Sequence, residues 1–260
     1  METQFIKFEV IDGVGKITLN RPDVLNSFNK GMAMEVQEAL DQCNSDQAIR
    51  AVYLTGEGRG FCAGQDLAEA IAEDAPKIEN IVEFHYNPII RKIRNIEKPV
   101  VCAVNGVAAG AGANLALSCD IVYAGKSANF IQSFCKIGLI PDSGGTFFLP
   151  RLAGFQRASA MMLLGDKVSA EQALAFGMIY KIMDDDKLQE EAFAVAVYLA
   201  TQPTKGLGLT KRLLNLSMFN ELDDQLDLER DAQAEAFDTY DNKEGIAAFL
   251  EKRKPVFKGE

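Results

Sequence analysis

The chain has few of the histidine and cysteine residues on which several classes of enzyme depend for catalysis. It holds a single histidine, His85, and its five cysteines show no Cys-x-x-Cys spacing. One histidine without an assigned partner argues against Ser–His–Asp hydrolysis. No His-Glu-x-x-His run or cluster of cysteine and histidine indicates a metal site. The odd number of cysteines is typical of reduced, mostly packed thiols, so we expect a cytoplasmic protein.

Long apolar runs and positive charge are also scarce. No apolar run reaches the roughly 18 residues of a membrane helix, and residues 5–14 alternate like a strand rather than like a secretory signal. With 27 basic and 37 acidic residues, the formal net charge is −10. Such a surface repels phosphate backbones, so we expect neither nucleic-acid nor membrane binding. Two basic clusters are more typical of solvated helix charge, yet could hold a nucleotide's phosphates: Lys205, Lys211 and Arg212, and Lys252, Arg253 and Lys254.

Strand-like and helical patterns alternate in the first part of the chain, and helices dominate from Phe155 onward. The strand-like runs are 5–10, 15–19, 51–55, 100–104, 121–123 and 178–183. Helical spacing covers 31–43, 76–96, 111–117, 155–164, 169–175, 186–201, 203–218, 221–240 and 243–252, with Pro88 a predicted kink. This order predicts an α/β layer followed by a helical region.

Two glycine-rich turns each follow a strand-like run. Residues 60–67 read Gly-Phe-Cys-Ala-Gly-Gln-Asp-Leu, and residues 105–112 read Asn-Gly-Val-Ala-Ala-Gly-Ala-Gly before a helical pattern. Small residues let the backbone approach a ligand closely, and a helix start presents unpaired N–H groups. Two such turns beside one carbonyl would form an oxyanion hole. Either turn alone is equally consistent with tight strand–helix packing.

Together with four further segments, these turns resemble the crotonase family, also called the enoyl-CoA hydratase/isomerase superfamily. The segments are Leu-Asn-Arg-Pro at 19–22 with Leu-Asn-Ser at 25–27, residues 119–124, residues 138–151 and residues 244–255. The resemblance spans almost the whole chain in the family's order. It implies an α/β spiral of ββα units whose C-terminal helices pack between subunits of a trimer. Residues 1–200 would form the acyl-CoA-binding core and residues 201–260 the oligomerisation region, in a homotrimer or a dimer of trimers.

The resemblance also implies roles for individual residues. The backbone N–H groups of Gln65 and Ala111 would hold the thioester oxygen. The coenzyme A and substrate contacts would come from Val24, Leu25, Ala63, Asp66, Leu67, Gly110, Asn114 and Phe134. Asp66 could equally cap the following helix. The substrate carries its own coenzyme A, so we expect no separate cofactor and no metal.

The two positions where hydratases of this family carry glutamates hold Asn114 and Phe134 here. Neither side chain has a usable proton equilibrium near neutral pH, which argues against ordinary hydration. A carboxylate appears instead at Asp142, in a Pro-Asp-Ser-Gly-Gly loop. Asp142 could act as the catalytic base or simply cap the helix that opens near Gly144. Nearby phenylalanines at 134, 147 and 148 could raise its pKa.

These features predict an acyl-CoA isomerase with one aspartate base. Within the family, the loop and both glycine turns resemble the isomerases of phenylacetate catabolism, which implies conversion of ring-1,2-epoxyphenylacetyl-CoA to its oxepin isomer, a shift of 3-enoyl-CoA to 2-enoyl-CoA, or both. Hydration, hydrolysis and dehalogenation stay open as other crotonase reactions, and so does a non-catalytic binding protein on the same scaffold. The acyl group is not predicted, because the course of loop 69–81 does not follow from sequence.

Overall fold

The strands of this chain form two β-sheets. The computed structural model describes residues 3–72 and 75–260. Its strands are β1 (Ile6–Ile11), β2 (Val14–Leu19), β3 (Ala51–Gly56), β4 (Gly60–Cys62), β5 (Val100–Val104), β6 (Val107–Ala109), β7 (Ile121–Gly125), β8 (Asn129–Ile131), β9 (Lys167–Ser169) and β10 (Lys181–Met183). The larger sheet has the order β1-β2-β3-β5-β7-β10 and the smaller one β4-β6-β8-β9.

The chain alternates between the two sheets, which confirms the predicted spiral of ββα units. From β3 to β8, each strand of the larger sheet is followed by one of the smaller sheet and then by helix. Pairing within both sheets is parallel except for β1 with β2 and β8 with β9. The β1–β2 hairpin turns at Asp12 and Gly13, both with positive φ, as a tight two-residue turn requires.

The described residues form twelve α-helices. They are α1 (Lys30–Ser45), α2 (Leu67–Ala70), α3 (Ile78–Asn80), α4 (Asn87–Asn95), α5 (Ala111–Leu117), α6 (Gly145–Ala153), α7 (Phe155–Leu164), α8 (Ala170–Ala175), α9 (Leu188–Ala200), α10 (Thr204–Leu216), α11 (Leu222–Phe237) and α12 (Tyr240–Glu251). A π-helical segment, Ile81–Tyr86, joins α3 to α4. Short 3-10 helices occur at Pro22–Val24 and Ser133–Ile137.

Both faces of the larger sheet are buried at its central strands, as is usual where parallel strands carry crossover helices. Every residue of β3 and of β5 is buried. On one face, Tyr53 and Val101 pack with Ala192 and Ala196 of α9. On the other, the side chains of Val52 and its neighbours belong to the main core, which includes α1 and the α4 region. The central strands are therefore apolar on both sides and show little alternation.

The predicted helix over 76–96 is present, with helical residues running without interruption from Ile78 to Asn95. Pro88 follows the π-helical segment Ile81–Tyr86 inside this stretch, and it has no N–H for the preceding turn. The Phe84 carbonyl oxygen, four residues earlier, accepts from Gln37 Nε2 at 2.9 Å. The kink at Pro88 stays a prediction. The strand predicted over 178–183 is shorter, covering only Lys181–Met183. These differences leave the predicted element order intact.

The C-terminal helices are tied to the core by a buried ion pair. Lys211 of α10 donates to Asp120 at 2.7 Å and to the carbonyl oxygen of Ile93 at 2.7 Å. Burial lowers the pKa of Lys211, whereas the Asp120 carboxylate opposes that shift. Arg94 donates to the other oxygen of Asp120 at 3.0 Å. This pairing anchors α10 beside the end of α4.

The proposed use of the basic clusters for phosphate binding is not supported by their contacts. Lys211 is buried against Asp120, and Arg212 is paired with Glu97. In the second cluster, Arg253 forms a bidentate pair with Glu244. These three cations are neutralised within the chain. Lys211 also departs from the expectation of solvated helix charge, because it is buried.

Residues 201–260 hold α10 to α12 and a terminal tail. The Arg50 guanidinium donates to Thr204 Oγ1 at 2.8 Å and to the Phe257 carbonyl oxygen at 3.0 Å, so the tail lies against the core. Helix α11 has no buried residue. The boundary at residue 200 stays a prediction. Within the described ranges, every helix is too short or too polar to cross a membrane.

Candidate active site

The first glycine turn holds the Gln65 peptide in a fixed direction. Gly64 has a φ of +94°, which glycine adopts without strain. Its carbonyl oxygen accepts from the Phe28 N–H at 2.7 Å, and the Asp66 N–H donates to the Phe28 carbonyl oxygen at 2.8 Å. In a trans peptide the N–H points opposite to the preceding carbonyl. The Gln65 N–H therefore points away from Phe28.

The second turn brings the start of α5 against the first. Gly110, with a φ of +53°, precedes Ala111, the first residue of α5. A Cβ atom on Gly64 would lie 3.0 Å from the Ala109 carbonyl oxygen and 3.6 Å from the Ala111 nitrogen. Among the described residues, neither the Gln65 nor the Ala111 N–H donates to a protein acceptor. The structure thus brings two unpaired donors into neighbouring turns, as an oxyanion hole requires.

Asp142 does not cap the helix that follows it. Helix α6 begins at Gly145 after Gly144, and no side chain caps its start. The half-buried Asp142 carboxylate accepts instead from the Ser143 hydroxyl at 2.9 Å. The capping alternative is therefore wrong. Burial raises the pKa of Asp142, and the Ser143 hydrogen bond opposes part of that rise. A raised pKa makes a carboxylate a better proton carrier near neutral pH.

Asn114 ties the Asp142 loop to α5. Its Nδ2 donates to the Asp142 carbonyl oxygen at 2.9 Å, and its Oδ1 accepts from Gln132 Nε2 at 2.8 Å. Asn114 and Gln132 are almost completely buried. Because both ends of the Asn114 amide bind protein groups, this side chain positions the loop rather than offering a free polar group. It stands three residues after Ala111 on the same helix, so it links Asp142 to the second glycine turn.

Phe134 lies beside the start of α5. It is buried in the 3-10 helix Ser133–Ile137, and a Cβ atom on Gly110 would lie 3.6 Å from its ring. A second ring, that of Phe148, packs against Gly144. Apolar rings therefore occupy the position of one hydratase glutamate and the wall next to the Asp142 loop.

The residues assigned to coenzyme A cluster beside the first turn. Val24 and Leu67 expose about half of their side-chain surface, 45% and 52%. The Ala63 N–H donates to the Leu25 carbonyl oxygen at 2.9 Å. Asp66 caps α2 through the Ala68 N–H at 3.1 Å, which confirms its capping role.

Sequence reasoning missed three polar groups in this region. Arg21 forms an ion pair with Asp66 at 2.9 Å, although its motif was part of the resemblance. The Tyr86 hydroxyl donates to Gln65 Oε1 at 2.6 Å, and Gln132 holds Asn114. No spacing in the sequence indicates the last two contacts, because they form only when distant segments pack. His85, the single histidine, is buried next to Tyr86, and burial lowers the pKa of its imidazole.

Comparison with known proteins decides the family. A family model described as enoyl-CoA hydratase/isomerase matches residues 9–260. The chain belongs to the enoyl-CoA hydratase/isomerase, or crotonase, family. It is therefore an enzyme of a family that acts on acyl-CoA thioesters.

Individual relatives of this crotonase match it end to end. It is 52% identical over 260 residues to the 1,2-epoxyphenylacetyl-CoA isomerase of Escherichia coli strain K12, covering 99% of each chain. It is 42% identical over 259 residues to a Rhodobacter capsulatus protein named "Probable enoyl-CoA hydratase", covering 100% of both chains. The crystal structure of an enoyl-CoA hydratase from Bacillus anthracis matches with a TM-score of 0.94 at 33% identity, covering 99% of this chain and 100% of that one.

The buried carboxyl of Asp142 should reduce the stability of this crotonase at neutral pH. Its pKa is higher in the folded than in the unfolded chain, so the protonated form stabilises the fold at low pH and that contribution is lost as pH rises through the folded pKa. Asp142→Asn should therefore raise the thermal unfolding midpoint at pH 7, by about 2–4 °C for each kcal/mol of destabilisation relieved. The gain should shrink toward pH 4.

Differential scanning fluorimetry from pH 4 to 8 measures this dependence. The matched control is Asp12→Asn at an exposed hairpin carboxyl, which should shift the midpoint little at any of these pH values. A lower midpoint for Asp142→Asn at pH 7 would contradict the assigned cost of the buried charge.

Proposed function

We propose that this crotonase is an acyl-CoA isomerase that uses Asp142 as its single base and the Gln65 and Ala111 N–H groups as its oxyanion hole. One observation carries the proposal. The half-buried Asp142 is tied through Asn114 to the helix that begins at Ala111, while the two hydratase acid positions hold an amide and a phenyl ring. The site thus has one proton carrier where hydration uses two acids.

The proposed reaction on an unsaturated thioester is a proton transfer along one face of the substrate. With the thioester oxygen held by two N–H donors, the α-proton becomes acidic enough for a carboxylate to remove it. The Asp142 carboxylate takes this proton, and the C–H electron pair delocalises into a planar dienolate. The resulting carboxylic acid then returns the proton to the γ-carbon. The double bond moves from the 3 to the 2 position, and no second acid is needed.

Rearrangement of an aromatic-ring epoxide is the proposed natural role. The Escherichia coli relative, half of whose residues match, is named as a 1,2-epoxyphenylacetyl-CoA isomerase. In that reaction the same oxyanion hole and base would assist the reorganisation of the epoxide ring to an oxepin. Isomerisation adds no oxygen from water, which separates it from hydration and hydrolysis.

Hydration is the second candidate, because the Rhodobacter capsulatus relative and the Bacillus anthracis structure carry hydratase names. Asp142 would then activate water, and in a dehalogenation it would attack as a nucleophile. The absence of both hydratase acids at Asn114 and Phe134 disfavours hydration. A non-catalytic binding protein on the same scaffold would bind a ligand without turnover.

Substrate binding is proposed along the apolar side chains beside the first turn, the exposed Val24 and Leu67 and the partly buried Leu25, with Ala63 and Asp66 next to them. This track would take the coenzyme A part of the thioester. The proposed chemistry needs proton transfer only, so we assign no cofactor or metal to it. Loop 69–81 would contribute to the acyl pocket. Of its residues, Glu73 and Asp74 lie outside the described part of the chain.

Asp142→Asn should lower turnover of a 3-enoyl-CoA by at least roughly a hundredfold, the usual scale of acid–base catalysis. Asparagine keeps the shape of the side chain and an acceptor for Ser143, but its amide cannot take up and release a proton as a carboxylate does. The assay follows 2-enoyl-CoA formation, with 1,2-epoxyphenylacetyl-CoA tested in parallel by mass spectrometry in H₂¹⁸O. Near-normal rates in the variant, or solvent oxygen in the wild-type product, would refute the mechanism.

Ala111→Pro should lower kcat by about 10²–10³-fold, because it deletes one oxyanion donor. Ala111 is the first residue of α5, a position where proline fits without losing a helical hydrogen bond. Ala111→Gly is the matched control, since it changes the side chain and keeps the N–H. A folded proline variant with undiminished turnover would remove Ala111 from the oxyanion hole.

We propose that residues 201–260 assemble the chain into a homotrimer or a dimer of trimers. Phe237 of α11 and Phe249 and Leu250 of α12 expose 63%, 83% and 74% of their surfaces, and large exposed apolar side chains that form a patch mark interaction surfaces. Light scattering at micromolar concentration should give a mass of three or six chains. Phe249→Asp should reduce the mass, whereas Val10→Asp on β1 should not. A monomeric wild-type protein would contradict this assembly.

A further inference from the structure

One continuous helical stretch touches both halves of the proposed site. Tyr86, at the end of the π-helical segment, donates from its hydroxyl to Gln65 Oε1 at 2.6 Å. Ile90, four residues later in α4, reaches the Asp142 loop, since a Cβ atom on Gly144 would lie 3.8 Å from Ile90 Cγ2. The helix therefore spans the gap between the oxyanion turn and the base.

The π-helical turn sets the direction of Tyr86. A π turn accommodates one residue more than an α-helical turn, and such insertions are frequent at functional sites. Removing it would rotate Tyr86 by about 100° around the helix axis, relative to the residues that precede the turn. The irregularity at Ile81–Tyr86 thus points the hydroxyl toward Gln65.

The tyrosine ring holds the same turn by a second contact. Tyr86 is only 5% exposed, and its ring lies 5.7 Å from that of Phe28, centroid to centroid. Phe28 in turn binds the backbone on both sides of Gln65, at Gly64 and Asp66. The Tyr86 ring, through Phe28, and the Tyr86 hydroxyl, through the Gln65 side chain, therefore both restrain the peptide that carries the proposed oxyanion donor.

We propose that Tyr86 is a positioning residue of the isomerase, which fixes the Gln65 N–H relative to Asp142 by holding the Gln65 side chain on the helix that also packs against the Asp142 loop. This inference rests on the proposed function. Its physical basis is the geometric demand of proton transfer, where a misplacement of about 1 Å can cost on the order of a hundredfold in rate.

The test compares two tyrosine-to-phenylalanine changes. Tyr86→Phe keeps the ring against Phe28 and removes the hydroxyl, so kcat for a 3-enoyl-CoA should fall about tenfold or more with little change in KM. Tyr53→Phe is the matched control, because the buried Tyr53 hydroxyl also donates to a glutamine, Gln189, at 2.8 Å. Tyr53 packs against α9 on the far side of the larger sheet. A merely structural role predicts equal effects of the two changes.

A second variant tests whether Tyr86 acts through Gln65. Gln65→Met keeps the side-chain length and the backbone N–H but removes the acceptor, together with the long Nε2 contacts to the Asp66 carbonyl oxygen and Glu69 Oε2 at 3.4 Å. The kcat should therefore fall at least as far as in Tyr86→Phe. The double variant should be no slower than Gln65→Met alone, because that change has already removed the Tyr86 hydrogen bond. Additive losses, or a normal rate in Gln65→Met beside a slow Tyr86→Phe, would overturn the inference in favour of a direct substrate contact.

Asp142→Asn, assayed alongside, separates the inference from the proposed function. A normal kcat in Tyr86→Phe with an inactive Asp142→Asn refutes the positioning role alone. A normal rate in Asp142→Asn refutes the proposed mechanism. If Tyr86→Phe does not fold, Gln65→Met is compared with Gln65→Glu, which loses the same Nε2 contacts but keeps an acceptor for the Tyr86 hydroxyl. A kcat in Gln65→Met no lower than in Gln65→Glu refutes the role of this hydrogen bond, and a lower one supports it.

Discussion

The close approach of β4 to the start of α5 is the contact on which the candidate site depends. A Cβ atom on Gly112 would lie 2.4 Å from the Cys62 carbonyl oxygen, and one on Gly64 would meet Ala109. No side chain fits at either place, so glycine is required for the two turns to meet. This contact brings together the turn from β4 to α2 and the turn from β6 to α5. It therefore places the unpaired Gln65 and Ala111 N–H groups in neighbouring turns.

The helix that begins at Ala111 also holds the Asp142 loop in place. Asn114 extends from α5 to the Asp142 carbonyl oxygen, and Gln132 from the end of β8 completes the chain of amides. The close glycine contacts thus fix the Gln65 and Ala111 N–H groups. The buried Asn114 amide fixes the Asp142 loop relative to those two groups. The carboxylate itself is left with one side-chain hydrogen bond, from Ser143, and stays half-buried, which raises its pKa. This arrangement leaves the Asp142 carboxylate less solvated than a surface aspartate.

The sequence predicted the fold better than the contacts within the site. The five longer strands and the glycine turns were recognisable because β-branched runs and glycine spacing are local signals. The strands of the smaller sheet were not predicted, since runs as short as Gly60–Cys62 or Val107–Ala109 are too brief to show alternation. The contact between Tyr86 and Gln65 was not predicted for a different reason. The role of Tyr86 depends on a one-residue irregularity in the helix and on a partner 21 positions away, and neither leaves a periodic signal.

The Asn114 tether also restricts how this sequence can change its chemistry over evolutionary time. A glutamate at position 114 would restore one hydratase acid, yet it would delete the donor that holds the Asp142 loop and place a larger group against Gly145, whose backbone already approaches the Asn114 amide closely. The hydrogen bond to the Asp142 loop is lost with the substitution of Asn114 alone, whereas a pair of hydratase acids also needs an acid in place of Phe134. A change from the proposed isomerase to a hydratase would therefore need at least two substitutions, at Asn114 and Phe134, and the first of them would release the Asp142 loop.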